Sequence, residues 1–90
     1  MPKIKFTSAL KRFFPSLTEL DVPAKTVKET LDQLERTHPG ILTYLTEENG
    51  QLRKHVNIFV RGELIQDRIT LNDAVNNQDE LIIFQALSGG

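Results

Sequence analysis

The sequence predicts an α+β fold in which a mixed sheet packs against one helix. Three segments carry this prediction. Val56 to Val60 places every second residue on one apolar face, as a half-buried strand does. Thr26 to Glu29 opens a stretch with helical spacing. Leu81 to Phe84 is apolar on both faces, as in a central strand covered from two sides. Strands grouped around a single helix are typical of α+β proteins.

Two strands are predicted ahead of the helix. Lys3 to Thr7 alternates Ile4 and Phe6 with polar residues, which is strand patterning. Thr18 to Val22 has the same character. Ser8 to Ser16 is a polar and aromatic connection between them. Because neighbouring strands usually pair, we expect an antiparallel hairpin with a long loop.

The helix has recognisable signals at both ends. The Thr26 hydroxyl can accept a hydrogen bond from the Glu29 amide, and the Glu29 side chain can reach back to the Thr26 amide. Pro39-Gly40 is expected to end the helix. An apolar stripe of this kind must pack on a sheet, because each exposed aliphatic side chain would forgo roughly 1.5–3 kcal/mol. The stripe comprises Val27, Leu31, Leu34 and His38.

The second half of the chain is predicted to add three strands. Ile41 to Leu45 suggests a short turn of helix, and Arg61-Gly62 a turn after the Val56 strand. Glu63 to Ile65 returns as a short strand, and Gln66 to Glu80 is irregular. Leu81 to Leu87 forms the last strand, placed beside the first and parallel to it. The expected anchors of the irregular segment are Leu71, Ala74 and Val75.

Composition restricts the function. The 90 residues contain 11 Lys and Arg against 12 Asp and Glu, a net charge of −1, so a dedicated nucleic-acid binder is not expected. No apolar run approaches the roughly 20 residues that cross a bilayer, so no membrane role is expected. There is no Cys, which excludes thiolate nucleophiles and Cys-based zinc sites. His38 and His55 lack evident partners for a metal site or a catalytic relay. We therefore expect a cytoplasmic protein that is not a self-sufficient enzyme but acts on a partner or is acted on by one.

The end of the sequence adds a family resemblance. It closes on Leu87-Ser88-Gly89-Gly90, preceded by the Val56–Val60 strand with its Gly62 turn and by Asp79-Glu80-Leu81. Together with the order of elements, these residues resemble the MoaD/ThiS family of ubiquitin-like sulfur carrier proteins. The resemblance implies a β-grasp (ubiquitin-like) fold, with a mixed sheet of four to five strands packed on one main helix. It divides the chain into a domain of residues 1–87 and a flexible Ser-Gly-Gly tail of residues 88–90.

Two positions depart from the family pattern. Asn77-Gln78 stands where members often have Asp-Gly, and Gln85-Ala86-Leu87 stands where they often carry Pro and Val. The Val56–Val60 strand and the long middle segment look closer to the carriers that feed cysteine biosynthesis than to the short thiamin carriers.

The resemblance implies that the chain is a cosubstrate with no catalytic residue, metal or bound cofactor of its own. An adenylating enzyme of the ubiquitin-activating type would use ATP and Mg²⁺ to adenylate Gly90. A sulfur donor would convert the acyl adenylate to a thiocarboxylate, and a downstream biosynthetic enzyme would accept the sulfur. We expect Gly89, Ser88 and Leu87 to be recognised with the tail, since glycine threads a narrow channel in any backbone conformation.

Phe84 and Ala86 are predicted to dock a partner. Ile83 and Phe84 point to opposite faces of the last strand, and the helix covers only one face. Exposed apolar residues often mark partner sites, and the resembled family uses an aromatic at the matching position. A loop that covers Phe84 is the structural alternative.

Other interpretations stay open at this stage. The chain could be a ubiquitin-like modifier joined to lysines through Gly90, the small subunit of a molybdopterin synthase, or a plain interaction module with an incidental diglycine. Asn57 is expected to bond neighbouring backbone, while Phe13 and Phe14 are expected to cover one end of the core. Four basic residues could form a patch, although scattered surface charge is the simpler expectation. These are Arg53, Lys54, Arg61 and Arg68.

Overall fold

The fold is a mixed sheet with one long helix packed across its inner face. The computed structural model describes residues 1–85. The predicted α+β class is confirmed. In chain order the elements are β1 (Lys3–Phe6), α1 (Ser8–Lys11), β2 (Leu20–Asp21), α2 (Val27–Thr37), α3 (Ile41–Leu45), β3 (Val56–Val60), β4 (Glu63–Leu64) and β5 (Glu80–Gln85).

The last strand lies at the centre of the sheet. The strand order is β2-β1-β5-β3-β4, with β1 parallel to β5 and the other three pairs antiparallel. The predicted hairpin of the first two strands and the parallel central pair are therefore both confirmed. Ile83 of β5 lies between Phe6 of β1 and Ile58 of β3, so three strands meet over the core at this level.

The core is built between the inner face of the sheet and α2. Val27, Leu31 and Leu34 of the predicted helical stripe are buried, whereas His38 is only half-buried at the C-cap. Thr30 is also fully buried and donates its hydroxyl hydrogen bond to the Thr26 carbonyl at 2.9 Å, which satisfies the polar group inside the helix. The sheet side of this core includes Ile4, Val56, Ile58, Leu81 and Ile83.

The start of α2 follows the predicted capping motif with one difference. The Glu29 amide donates to Thr26 Oγ1 at 3.1 Å, as expected for an N-cap. The Glu29 carboxylate, however, accepts from the amide of Lys25 at 2.9 Å rather than from that of Thr26. The reciprocal bond thus reaches one residue further back than predicted.

Glu35 joins the two consecutive helices. Its carboxylate accepts hydrogen bonds from the amides of Gly40 at 2.9 Å and Leu42 at 3.1 Å, which are free at the start of α3. These two bonds lower the pKa of Glu35. Gly40 takes a φ of 96°, so the predicted helix end at Pro39-Gly40 is confirmed and glycine is the residue suited to it.

The β3–β4 turn is fastened to the entry of β5. Arg61 and Gly62 both have positive φ, 54° and 80°, which is the pattern of a tight hairpin turn. The Arg61 guanidinium pairs with Asp79, which is 6% exposed and also accepts from the Asn76 amide at 2.7 Å. This ion pair between the turn and the residue that precedes the central strand was not predicted.

Several predicted boundaries were wrong. Ser8 to Ser16 contains the helical turn α1 rather than a plain loop, and β2 covers only part of Thr18 to Val22. Ala74 is exposed, whereas the other two expected anchors are buried. β5 begins at Glu80, one residue earlier than predicted, and is followed to Gln85. The prediction that both faces of β5 are buried was also wrong, because one face is exposed.

Candidate docking face and diglycine tail

The outer face of the sheet carries a row of apolar side chains, here called the outer patch: Phe59, Leu64, Ile82 and Phe84. Ile82 and Phe84 are 37% and 42% exposed on β5, and Leu64 is 53% exposed on β4. Phe59 of β3 lies between Ile82 and Leu64 in the sheet register and is half-buried. Because side chains alternate along a strand, these residues point away from α2. Phe84 is therefore on the face that was predicted, and no loop of residues 1–85 covers it.

Charged side chains border the outer patch on its β1 and β2 side. Lys5 lies beside Ile82 in the register and its Nζ is 3.2 Å from Glu80 Oε1. Lys3 lies 3.8 Å from Glu19 Oε1. All four side chains are more than a third exposed, so these pairs contribute little to folding.

Arg68 lies at the opposite edge of the outer patch, next to β3. Its Nη2 donates to the carbonyls of Arg53 at 2.6 Å and Val56 at 2.8 Å, and its Nη1 donates to Asn57 Oδ1 at 3.3 Å. The guanidinium thereby occupies the edge of β3 that the two-residue β4 does not reach. Asn57, expected to bond backbone, instead accepts from this arginine and lies beside Phe84 in the register.

Three of the four basic residues considered as a patch have their guanidinium groups bound to separate acceptors. Arg53 pairs with Glu47 at 2.7 Å, Arg61 pairs with Asp79, and Arg68 binds carbonyls. Scattered charge is thus the correct interpretation.

The expectation that Phe14 covers an end of the core is confirmed, whereas Phe13 is 56% exposed and packs on Tyr44.

The predicted tail residues lie outside the described part of the chain. This applies to Ala86, named as a docking residue, to Leu87, Ser88 and Gly89, named for tail recognition, and to the reacting Gly90. β5 is the strand that leads into them, and Gln85 is its last described residue.

Residues 1–85 show neither a candidate metal site nor a helix that could span a membrane. Within them no group of three or more His, Asp or Glu side chains could hold a metal ion. His38, the last residue of the predicted stripe, packs its ring against Phe14 with a centroid distance of 6.3 Å. No helix in this range combines the length and apolar character needed to cross a bilayer.

Sequence reasoning named one residue of the outer patch and missed three. The signal for Ile82 was present, because Leu81 to Phe84 is apolar on both faces and only one face can meet the helix. Phe59 alternates with the buried residues of its strand in the same way. Leu64 gave no signal, since its exposure depends on β4 being only two residues long.

A five-stranded β-grasp sheet, with an open apolar face on the strand that leads to a diglycine, defines a small ubiquitin-like protein. The chain belongs to the ThiS family, whose model matches residues 4–90. Proteins of this family are small ubiquitin-like carriers or modifiers and not enzymes themselves.

Two relatives show how far the similarity extends. Small archaeal modifier protein 1 of Haloferax volcanii is 34% identical over 65 residues, which cover 72% of this chain and 70% of the relative. Its crystal structure matches with a TM-score of 0.78 and 31% identity, over 99% of this chain and 98% of that one. A chain in the BexX/CysO complex of Amycolatopsis orientalis matches with a TM-score of 0.85 and 26% identity, over all of both chains. That relative is thus seen together with a protein partner.

Proposed function

We propose that this chain is a sulfur carrier whose Gly90 carboxyl group is adenylated and then converted to a thiocarboxylate. The observation that carries the proposal is the ThiS family match, which runs through Gly89 and Gly90 as well as the folded domain. The downstream pathway would be of the cysteine, molybdopterin or thiamin type.

Two substitutions at the Gly90 carboxyl group make up the proposed chemistry. A carboxylate oxygen bonds to the α-phosphorus of ATP, and pyrophosphate leaves with the electrons of the broken P–O bond. A sulfur nucleophile such as hydrosulfide then bonds to the acyl carbon, and AMP leaves. The product is a terminal thiocarboxylate that a downstream enzyme can use as a sulfur donor.

The chain's own part in these steps is presentation. Two residues of the outer patch, Ile82 and Phe84, lie on β5, so a partner that binds them receives the tail a few residues further on. Gly90 has no Cβ, so its carbonyl carbon can be approached from either side, and Gly89 adapts its backbone to a narrow channel. Leu87, Ser88 and Ala86 would complete the contact.

All catalytic groups then belong to the partners. These are an adenylating enzyme of the ubiquitin-activating type, which uses ATP and Mg²⁺, a sulfur donor, and a sulfur-accepting enzyme. The carrier itself would bind no cofactor. Because activation consumes ATP, we place the protein in the cytoplasm.

Activation by the cognate adenylating enzyme tests the proposal at Gly90. The wild-type chain should support ATP–pyrophosphate exchange, whereas deletion of Gly90 or addition of one alanine after it should abolish the exchange. Ile69→Ala serves as the control and should behave as the wild type, because Ile69 is exposed and lies beside α2 and α3 rather than on the outer patch. Exchange that persists at the wild-type rate after deletion of Gly90 would refute the proposal.

A second candidate function is protein modification, because the relative at 34% identity is named a modifier protein. In that case the activated Gly90 carbonyl would form an amide with a lysine Nζ of a target. No Lys or Arg follows Arg68, so trypsin would leave the segment Ile69–Gly90 attached to the modified lysine. Finding this remnant on target lysines in cells, in place of a thiocarboxylate on the free chain, would favour the modifier.

A further inference from the structure

An exposed aromatic cluster lies away from the outer patch, on the helix side of the molecule. Phe13 stacks on Tyr44 with ring centroids 4.8 Å apart and an interplanar angle of 22°. Phe14 meets Tyr44 edge-on at 5.7 Å and packs against the core, which anchors the cluster. Phe13 remains 56% exposed and Tyr44 36% exposed, so the pair forms an open platform. Exposed aromatic rings held rigidly in this way are favoured at protein interfaces.

This aromatic platform, Phe13 and Tyr44, has unpaired positive charge beside it. Lys11 and Arg12 directly precede Phe13 and are exposed, and neither forms an ion pair within residues 1–85. The acidic residue nearest to them along the chain is Glu19. The lysines of the outer face, in contrast, already face Glu19 and Glu80. The two positive charges beside the platform are therefore complementary to an acidic surface.

The platform lies at the end of the domain from which the tail continues. The Thr7 amide donates to the Ile83 carbonyl at 3.3 Å, so α1 begins level with the end of β5, and α1 contacts that strand. α1 is one helical turn, about 6 Å long. Phe13 and Phe14 follow it directly, with both amides bonded to the Leu10 carbonyl.

The length of the tail limits how far a tail-processing enzyme can stay from this end. Gly90 is five residues beyond Gln85, and a fully extended chain of that length reaches about 17 Å. An active site that closes on the Gly90 carbonyl must therefore come within that distance of the end of β5. Such an enzyme would face both the outer patch and the surface around α1.

We propose that the aromatic platform, together with Lys11 and Arg12, is a second docking surface that receives an acidic surface of the enzyme that adenylates Gly90. The proposal rests on the proposed function. The outer patch would hold one side of the base of the tail, and the platform would hold the other.

Steady-state ATP–pyrophosphate exchange with the cognate adenylating enzyme tests the proposal. Phe13→Ala should raise the KM for the carrier roughly tenfold, as loss of an aromatic anchor does, with little change in kcat. Lys11→Glu combined with Arg12→Glu should also raise the KM, and this effect should shrink at high salt because the contact is ionic. Phe13→Tyr keeps the stacked ring and should retain the wild-type KM.

Matched controls separate docking from folding. Ile69→Ala removes an equally exposed apolar side chain from the segment after β4, and Lys54→Glu reverses an exposed charge in the loop before β3; neither residue belongs to the platform, so both should leave the KM unchanged. Thermal unfolding should show that every variant is folded. A KM for Phe13→Ala equal to that of Ile69→Ala, or a charge effect that is insensitive to salt, would overturn the proposal. A wild-type chain that supports no exchange would instead refute the proposed function on which it rests.

Discussion

Two adjacent isoleucines of β5 lie on opposite faces of the sheet, and we expect them to differ in their contribution to stability. Ile83 is fully buried between neighbouring strands, whereas Ile82 is 37% exposed on the outer patch. Ile83→Ala should lower the free energy of unfolding by about 2–5 kcal/mol, because it leaves a cavity in the core. Ile82→Ala should cost only about 1 kcal/mol, because the partly exposed side chain loses little burial. Urea denaturation of the pair measures the difference, and equal losses would contradict the assignment of the two faces.

Phe84 is expected to act on docking alone. Phe84→Ala removes a side chain that is 42% exposed, so the free energy of unfolding should change by less than about 1 kcal/mol. The KM for the carrier in ATP–pyrophosphate exchange should nevertheless rise about tenfold, as at other aromatic anchors. Ile69→Ala is again the control for exposed apolar loss. A normal KM for Phe84→Ala would remove the outer patch from the activation step.

Residue patterns alone predicted part of this site. Alternation along β5 placed Phe84 opposite Ile83, and the structure agrees. The pattern could not decide whether the second face was covered, because coverage depends on where loops distant in sequence fold. The same limit applies to Asn57, whose partner Arg68 comes from the irregular segment.

At the scale of elements, the segment after β4 is organised by aspartates. The Asp67 carboxylate accepts hydrogen bonds from the amides of Ile69, Thr70 and Asn72 at 3.0, 2.8 and 3.1 Å, and from the Thr70 hydroxyl. Asp73 accepts from the amides of Gln66 and Asp67 at 3.0 and 2.8 Å. These bonds explain how a polar stretch without strands keeps one shape. Hydrogen bonding, first of all from Thr70, lowers the pKa of Asp67 well below its usual range.

Acid should weaken the fold through this loop. Because the pKa of Asp67 is lower when folded, the unfolded chain binds more protons below pH about 4, and the stabilisation present above that pH is lost as the pH falls. Asp67→Asn should reduce stability at neutral pH and flatten the loss below pH about 4. Asp21→Asn, at an exposed position of β2, should retain the wild-type slope. Urea denaturation across pH measures both, and equal slopes for the two variants would contradict the role of Asp67.

Elements were predicted where a pattern was long enough to show its period. The capping motif and stripe identified α2, and alternation identified β3. Helix α1 was not predicted, because four residues make only one turn. Its position depends on the burial of Leu10 in the core rather than on local propensity. Ala74 was expected to be buried for its apolar character, but the backbone bridge from Ala74 to Thr26 leaves its side chain exposed.

At the scale of the whole molecule, the sheet topology links folding to presentation. β5 is held by β1 on one side and β3 on the other, so the strand that leads to the tail is among the best supported. The edge strands β2 and β4 have two residues each, which offers little edge for pairing with other chains. The central position of β5, parallel to β1, was predicted from a strand that is apolar on both faces, although only one of those faces is buried. The surface at the tail end could not be predicted, because it combines α1, α3 and β5.

The intact mass of the chain after coexpression with its adenylating enzyme and a sulfur source tests the central claim most directly. A sulfur carrier should gain the mass that corresponds to replacement of one Gly90 carboxylate oxygen by sulfur, and a variant without Gly90 should not. An unchanged wild-type mass, under conditions that convert another member of the ThiS family to its thiocarboxylate, would contradict the assignment of this chain as a sulfur carrier.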